Sequence, residues 1–254
     1  MNSAATTQRS NTKLSVSFTF PDITIEKGKI TTIIGKNGSG KSTLLKSIAG
    51  IIPYSGSLRV DDIEIRDLTP RERAKLVAYL PQNLKSVNID VETLVEHGRY
   101  PWHGSMRRLS VKDRRIIDEA LNITDMTNLK SKSLSELSGG ERQRAYLALV
   151  IVQDTPMILL DEPTTFMDIK VQQKFLSIIE NLKNSGRGIA AVLHNIEQSF
   201  AISDFIYVLD DRKVASYGTP DELIKEEGLL RKIFGVTLRK SEDPSLLYPY
   251  ETIK

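Results

Sequence analysis

Residues 35–43 read GKNGSGKST, a glycine-rich loop with recognisable structure predicted on both sides. The run KITTIIG before it is short, apolar and typical of a strand, and KSTLLKSIAG after it is typical of a helix that ends at Gly50. The loop fits the pattern G-x-x-x-x-G-K-[ST], in which backbone N–H groups and the positive end of the following helix bind phosphate oxygens. A strand, this loop and a helix in that order predict a βαβ unit rather than a chance glycine-rich turn.

We call residues 35–43 the phosphate loop. Lys41 is expected to reach the β- and γ-phosphates of a nucleotide, and the Ser42 hydroxyl is expected to ligate Mg²⁺. The residues predicted to bind the nucleotide are Gly35, Lys36, Asn37, Gly38, Ser39, Gly40, Lys41, Ser42 and Thr43.

The composition is that of an ordinary globular protein, with 254 residues, 40% of them hydrophobic and 26% charged. A net charge of +3 without a dense Lys/Arg cluster argues against nucleic-acid binding. The chain has no cysteine, which excludes disulfides and metal–thiolate sites and suits a reducing compartment. No run approaches the roughly 18 apolar residues of a membrane span. The polar start, MNSAATTQRSNTK, lacks the apolar core of a signal peptide.

The order of apolar patterns predicts an α/β frame with a helical insertion. Residues 14–20 alternate apolar and polar, and PDITIEKG continues the pattern, so we expect a small antiparallel β layer beside a parallel core. Helical patterns dominate residues 84–132. PMILLDEP and GIAAVLH then read as buried parallel strands separated by a long helix, and FIYVLDDRKVASYG reads as a hairpin. Capping boxes predict helix starts after Thr69, Ser110 and Thr219.

Two acidic residues end the buried strand ILLDEP. In a parallel sheet, ligands lie beyond the carboxyl ends of the strands, so Asp161 and Glu162 are expected to face the phosphates. Asp161 would hold Mg²⁺, directly or through water, and Glu162 would polarise the attacking water as a general base. Without the phosphate loop, a solvated acidic turn would be a fair alternative.

A second candidate anion site begins at Leu137. The segment Leu137, Ser138, Gly139, Gly140 and Glu141, here the LSGGE segment, precedes a helix and contains small residues that permit close approach of an anion. Because the phosphate loop already serves one nucleotide, the LSGGE segment suggests contact with a nucleotide held by another copy of the chain.

Taken together, the motifs resemble those of the ATP-binding cassette (ABC) family of transport ATPases, from about Leu14 to about Gly235. They occur in the family order: the phosphate loop, YLPQ with Gln82, the LSGGE segment, ILLDEP, TFMD with Asp168 and VLHN with His194. The resemblance implies an α/β P-loop NTPase cassette in a single domain. Residues 1–84 and 151–235 would form the RecA-like parallel core with its antiparallel β subdomain, 85–150 the helical subdomain, and 236–254 a tail.

The resemblance also implies roles for single residues. Two cassettes would form a homodimer around two ATP molecules with Mg²⁺, each ATP lying between the phosphate loop of one copy and the LSGGE segment of the other. Gln82 would contact Mg²⁺ and the attacking water, Asp168 would lie at the dimer interface, and His194 would contact the γ-phosphate. Phe18 is the expected adenine-stacking residue, with Phe20 as its competitor.

ATP hydrolysis driving transport is the function that the resemblance implies. Separate permease subunits, and indirectly a substrate-binding protein, would place the cassette at the cytoplasmic face of the cell membrane. The insertion, with V-x-x-LV before a GR-aromatic-P turn, resembles importers of iron–siderophore complexes, and haem and cobalamin importers share this pattern. A soluble ABC ATPase of an assembly or repair system is an alternative, and a small kinase is disfavoured by the LSGGE segment and His194.

The stretch LVEHGRYPWHG opens the insertion and contains the only tryptophan. The resemblance implies that the insertion faces the permease, and Arg99, Tyr100 and Trp102 are expected to dock there, because aromatic residues and arginine are frequent hot spots of interfaces. The alternative is that Trp102 packs within the insertion itself. The tail from Val236 to Lys254 is interpreted as a terminal segment that lies on the core, with a regulatory or dimer-stabilising extension as the alternative.

Overall fold

The computed structural model describes residues 23–60, 62–103, 108–165, 167–241 and 250–253. Phe18 and Phe20, and with them the expected adenine-stacking position, lie outside the described residues. The strands are β1 (Ile30–Gly35), β2 (Arg59–Val60), β3 (Ile63–Glu64), β4 (Val77–Leu80), β5 (Met157–Asp161), β6 (Gly188–Val192), β7 (Phe205–Asp210), β8 (Lys213–Gly218), β9 (Thr237–Lys240) and β10 (Tyr250–Ile253). The α-helices are α1 (Lys41–Ile48), α2 (Pro70–Arg73), α3 (Val91–His97), α4 (Tyr100–His103), α5 (Val111–Ile123), α6 (Gly139–Val152), α7 (Ile169–Asn184), α8 (Ile196–Ile202), α9 (Pro220–Leu223) and α10 (Glu227–Phe234).

Six strands form the central sheet in the order β4-β5-β6-β1-β7-β8. The first five are parallel, and β8 returns antiparallel to β7 as the predicted hairpin. Asp161 pairs with Val192 and Gly35 pairs with Leu209, so the carboxyl ends of these parallel strands are aligned. The loops after them therefore meet at one edge of the sheet, which is where ligands bind in open α/β sheets.

Helices cover both faces of the centre of this sheet, which explains why β5 and β6 are buried at every residue, whereas the edge strand β8 alternates. Successive strand residues point to opposite faces. Leu159 accordingly packs in a cluster with Leu44 and Leu45 of α1. Its neighbour Leu160 packs in a second cluster with residues of α6 and α7, including Phe175. The two clusters hold the phosphate loop's helix on one face and the helix after the LSGGE segment on the other.

The predicted helical insertion is confirmed, since α3 to α6 occupy the chain from Val91 to Val152. The three predicted capping boxes at Thr69, Ser110 and Thr219 are all present. Gly98 lies where α3 meets α6, and a Cβ there would be 2.3 Å from Val152 Cγ2. Glycine therefore permits an approach of these two helices that no other residue would allow without a shift.

The structure corrects one expectation at the start of the chain. The strand predicted to continue through PDITIEKG does not form over residues 23–26, where Thr24 N–H donates to Tyr207 Oη at 3.0 Å instead of to a neighbouring strand. Among the described residues, antiparallel pairing outside the central sheet occurs between β2 and β3 and between β9 and β10.

Residues 237–240 and 250–253, the described part of the tail, are held against the core, in agreement with the interpretation of the sequence. Strand β10 pairs with β9. The hydroxyl and the backbone N–H of Thr252 both donate to Glu197 Oε1 of α8, at 2.7 and 3.1 Å. No helix in the described ranges is long and apolar enough to cross a bilayer.

Candidate nucleotide site

The phosphate loop begins at Gly35, the last residue of β1, and runs into the first turn of α1. Gly40 is the N-cap of α1 with a φ of 100°, a left-handed conformation that glycine adopts without strain. Lys41 Nζ donates to Gly35 O at 2.7 Å and to Lys36 O at 3.0 Å, so the ammonium group lies over the loop. Burial lowers the pKa of Lys41, while Glu162 and Asp161 act in the opposite direction. The loop thus combines a cation with the N-terminus of a helix, as anion binding requires.

Asp161 lies at the end of β5 with 1% of its surface exposed. One carboxylate oxygen, Oδ1, accepts a hydrogen bond from Ser42 Oγ at 2.8 Å. The other, Oδ2, accepts one from Tyr79 Oη of β4 at 3.0 Å. Burial raises the pKa of Tyr79, and the nearby Asp161 charge raises it further, so this phenol stays protonated and acts as a donor.

Glu162 lies next to Asp161 but faces a different set of groups. Glu162 Oε2 accepts from Gln82 Nε2 at 2.6 Å and lies 3.7 Å from His194 Nε2. Gln82 follows β4, Glu162 follows β5 and His194 follows β6. Three neighbouring strand ends therefore bring together the three residues that the sequence predicted as catalytic. A carboxylate flanked by an amide and an imidazole can accept a proton from water and orient the water.

The oxygen donors of Ser42 and Asp161 match the chemistry of Mg²⁺, which prefers hard oxygen ligands and keeps few protein ones beside substrate phosphates. No group of three or more His, Cys, Asp or Glu that could hold a metal occurs among the described residues. A site of this kind does not need one, because phosphate oxygens and water supply the remaining ligands. The residues present therefore fit Mg²⁺ bound together with a nucleotide.

The LSGGE segment caps α6. Ser138 is the N-cap, its Oγ accepting from Glu141 N at 3.3 Å, and Glu141 Oε2 accepts from Ser138 N at 2.8 Å. Ser138 and Gly139 are exposed, whereas Leu137 is 4% exposed and anchors the turn. Within the described ranges, no hydrogen bond joins these residues to the phosphate loop. The segment is thus a second helix N-terminus that is open to another molecule.

Asp168 is exposed and serves as the N-cap of α7, where its Oδ1 accepts from Val171 N at 2.9 Å. This bond explains why an aspartate precedes the helix. With this hydrogen bond formed, the Asp168 side chain is still exposed to solvent, as the predicted role at a dimer interface requires.

The structure corrects the docking role expected for Arg99. Its side chain is buried, donating Nε to Asp113 Oδ1 at 2.9 Å and Nη1 to Val152 O at 2.7 Å. A guanidinium held inside the helical segment cannot anchor another protein. Trp102 is also held internally, because its Nε1 donates to Gln153 O at 2.9 Å, as the alternative interpretation of this tryptophan expected. Tyr100, 41% exposed, is the member of the set that remains accessible.

Tyr79 is the site residue that sequence reasoning missed. The motif YLPQ drew attention to Gln82 alone, although β4 pairs with β5 so that Tyr79 lies opposite Leu159. Leu159 and Asp161 share one face of β5 because strand side chains alternate. This register, had it been inferred, would have placed the Tyr79 hydroxyl beside Asp161.

A family model described as ABC transporter matches residues 20–165, more than half of the chain. The chain belongs to the ABC transporter family. It is accordingly an ATP-binding protein and an ATPase, and its α/β architecture is that of an ABC cassette.

Two relatives illustrate the position of the chain within the ABC transporter family. The petrobactin import ATP-binding protein FpuD of Bacillus anthracis is 37% identical over 88% of this chain and 82% of its own length. The iron(3+)-hydroxamate import ATP-binding protein FhuC of Bacillus subtilis is 35% identical over 92% of this chain and 89% of its own length.

Solved structures agree in fold. The chain is similar to cbiO1 from Clostridium perfringens, part of the ABC transporter complex cbiONQ, with a TM-score of 0.70 and 27% identity over 83% of this chain and 84% of that one. It is also similar to a dimer of the ATP-binding cassette MJ0796 in a post-hydrolysis state with ADP and Pi, with a TM-score of 0.67 and 26% identity over 78% of this chain and 88% of that one.

Proposed function

We propose that this chain is the ATP-hydrolysing subunit of an importer that takes up iron(III)–siderophore-type complexes through a separate membrane permease. The observation that carries the proposal is that FpuD and FhuC, which match nearly the whole chain at 37% and 35% identity, are named for import of petrobactin and of iron(3+)-hydroxamate respectively. The insertion motif supports the same subgroup.

Within the site, Lys41 and the backbone N–H groups of the phosphate loop bind the phosphates of ATP. Ser42 and Asp161 would hold Mg²⁺, and the bound ion would neutralise phosphate charge. Glu162 accepts a proton from the attacking water, while Gln82 and His194 keep that water and the γ-phosphate in line. Positioning and charge neutralisation, rather than covalent chemistry, then carry most of the catalysis.

The site is completed by a second copy of the chain. Ser138 and Gly140 of the LSGGE segment are exposed or half-buried at a helix N-terminus, which suits the γ-phosphate of an ATP held by the other copy. Asp168 is exposed at a helix start and lies at the same interface. ATP binding closes the homodimer, and hydrolysis opens it.

The helical segment, residues 85–150, passes this motion to the permease, and the exposed ring of Tyr100 forms part of the contact. The cassette is thereby held at the cytoplasmic face of the cell membrane. A substrate-binding protein on the opposite side of the membrane delivers the ferric complex to the permease. In this chain, the residues outside the helical segment form the nucleotide-binding core with its C-terminal tail.

Uptake in cells tests this proposal. In the organism that encodes the chain, we expect Glu162→Gln in the chromosomal copy to reduce accumulation of radioactive iron from ferric hydroxamate or petrobactin-type siderophores at least about tenfold, because hydrolysis falls by a larger factor. Glu180→Gln, at an exposed position of α7, serves as the matched control and should leave uptake unchanged. Normal ferric siderophore uptake together with loss of haem or cobalamin uptake would contradict the proposed substrate class.

A further inference from the structure

We propose that Tyr79 is a positioning residue that fixes the carboxylate of Asp161 for binding of the Mg²⁺–ATP complex. This inference rests on the proposed function, because it assigns Asp161 to the metal. Tyr79 itself is not placed against the nucleotide, and its effect passes through Asp161.

The geometry assigns each oxygen of Asp161 to a different donor. Ser42 Oγ lies 2.8 Å from Oδ1, and Tyr79 Oη lies 3.0 Å from Oδ2. A hydroxyl such as that of Ser42 can donate its hydrogen to Asp161 and still offer a lone pair to a cation. With Ser42 alone, the carboxylate could turn about its bond to Cβ. The second bond, on the opposite oxygen, removes that freedom.

Tyr79 is well placed to act as a fixed donor. Its ring packs against the apolar cluster formed by α1 and the sheet, so the hydroxyl projects from a held side chain. Tyr79 and Asp161 come from adjacent parallel strands, where Tyr79 pairs with Leu159 two residues before Asp161. The contact is therefore set by the register of the sheet rather than by a loop.

Because Asp161 is buried, loss of its hydrogen bond from Tyr79 is expected to affect the carboxylate strongly. Asp161 is 1% exposed, so water cannot readily replace a lost donor, and a buried carboxylate needs its hydrogen bonds. Groups that orient a metal ligand in this way typically change metal affinity by about 10–100-fold when they are removed. A tyrosine that merely filled space would not produce such an effect when changed to phenylalanine.

The test is a binding measurement on the full chain with Tyr79→Phe, which keeps the ring and removes the hydroxyl. In a Glu162→Gln background, where turnover is slow, the ATP dissociation constant is measured with Mg²⁺ and with a chelator. The Mg²⁺-dependent gain in ATP affinity should fall about tenfold or more, while metal-free ATP affinity stays the same and reports an intact phosphate loop.

Tyr207→Phe in the same background is the matched control. This variant also removes a hydroxyl from a sheet tyrosine, one bonded to Thr24 and not to Asp161, and it should retain the full Mg²⁺-dependent gain. An undiminished gain in Tyr79→Phe would overturn the inference and leave the proposed function standing. If the Glu162→Gln chain with Tyr79 intact shows no Mg²⁺-dependent gain, the metal role of Asp161 in the proposed function fails as well.

Discussion

The backbone of Glu162 has a φ of 51°, in the left-handed region that a residue with a Cβ rarely adopts. The Glu162 N–H donates to Val192 O at 3.0 Å, the bond that completes the last pair of β5 with β6, and this bond helps to hold the conformation. Such local strain typically costs about 1–3 kcal/mol and persists where the surrounding structure imposes it. Here it turns the carboxylate away from Asp161 and toward Gln82 and His194.

At the same scale, Glu162→Gln is expected to preserve ATP binding and to slow hydrolysis by about 10² or more, since the amide cannot accept the proton of water. Steady-state ATPase assays and equilibrium ATP binding on the purified chain measure the two quantities separately. The control Glu180→Gln should hydrolyse ATP at the normal rate. Near-normal turnover in Glu162→Gln would show that another group acts as the base.

Individual residues of the site could be predicted from the sequence where they belong to a short contiguous motif. The phosphate loop and the acid pair at Asp161 occupy short local patterns whose chemistry requires those residues. Tyr79 was missed because its partner lies 82 positions away and depends on strand register. Arg99 was misassigned because its burial arises from Asp113 and from the end of α6, which no local pattern reveals.

Helix α6 is bound by other groups of the chain at both of its ends. Its N-terminus carries the LSGGE segment, and the carbonyls at its C-terminus accept hydrogen bonds from the Arg99 guanidinium and the Trp102 indole, at Val152 and Gln153 respectively. A cation at a helix C-terminus also complements the helix dipole. Residues 98–102, GRYPW, thus satisfy the C-terminal carbonyls of α6. The N-terminus of the same helix is proposed to contact the ATP of the second copy.

The ion pair between Arg99 and Asp113, beside the C-terminus of α6, is buried. Burial raises the pKa of Asp113, but hydrogen bonds from Ser110, His103 and Arg99 outweigh burial and hold that pKa well below its usual range. Asp113 is therefore ionised and depends on its partners, with 1% of its surface exposed.

At the element scale, Arg99→Met is expected to lower the free energy of unfolding by about 3–5 kcal/mol, because it leaves a buried carboxylate without its cation. Denaturant unfolding followed by circular dichroism measures this quantity. Arg115→Met, at an exposed position of α5, is the matched control and should change stability by no more than about 0.5 kcal/mol. Equal stability of the two variants would mean that the Arg99–Asp113 pair does not hold the helical segment together.

The elements themselves were largely predictable. The helices after Thr69, Ser110 and Thr219 begin at their capping boxes because cap chemistry is local. Alternation predicted a strand through residues 23–26, but these residues do not form one, and the Thr24 N–H donates to the Tyr207 hydroxyl.

On the scale of the whole molecule, the sheet order brings the ends of β1, β4, β5 and β6 to one edge, and that edge carries Lys41, Gln82, Asp161, Glu162 and His194. The LSGGE segment is open and, among the described residues, forms no hydrogen bond with this edge. The phosphate loop and the LSGGE segment, the two half-sites, were both predictable from the sequence, because each is a run of small residues at a helix N-terminus. The proposed division of the two half-sites between two copies of the chain is a property of an assembly, which intrachain contacts do not determine.

The mass of the Glu162→Gln chain in solution, measured by light scattering with and without ATP and Mg²⁺, tests this account most directly. We predict a mass of 28.5 kDa without nucleotide and twice that value with ATP and Mg²⁺, and we predict that adding Ser138→Arg abolishes the doubling while each chain still binds ATP. A chain that stays at 28.5 kDa when saturated with ATP and Mg²⁺, or a dimer that Ser138→Arg leaves intact, would contradict the shared nucleotide site.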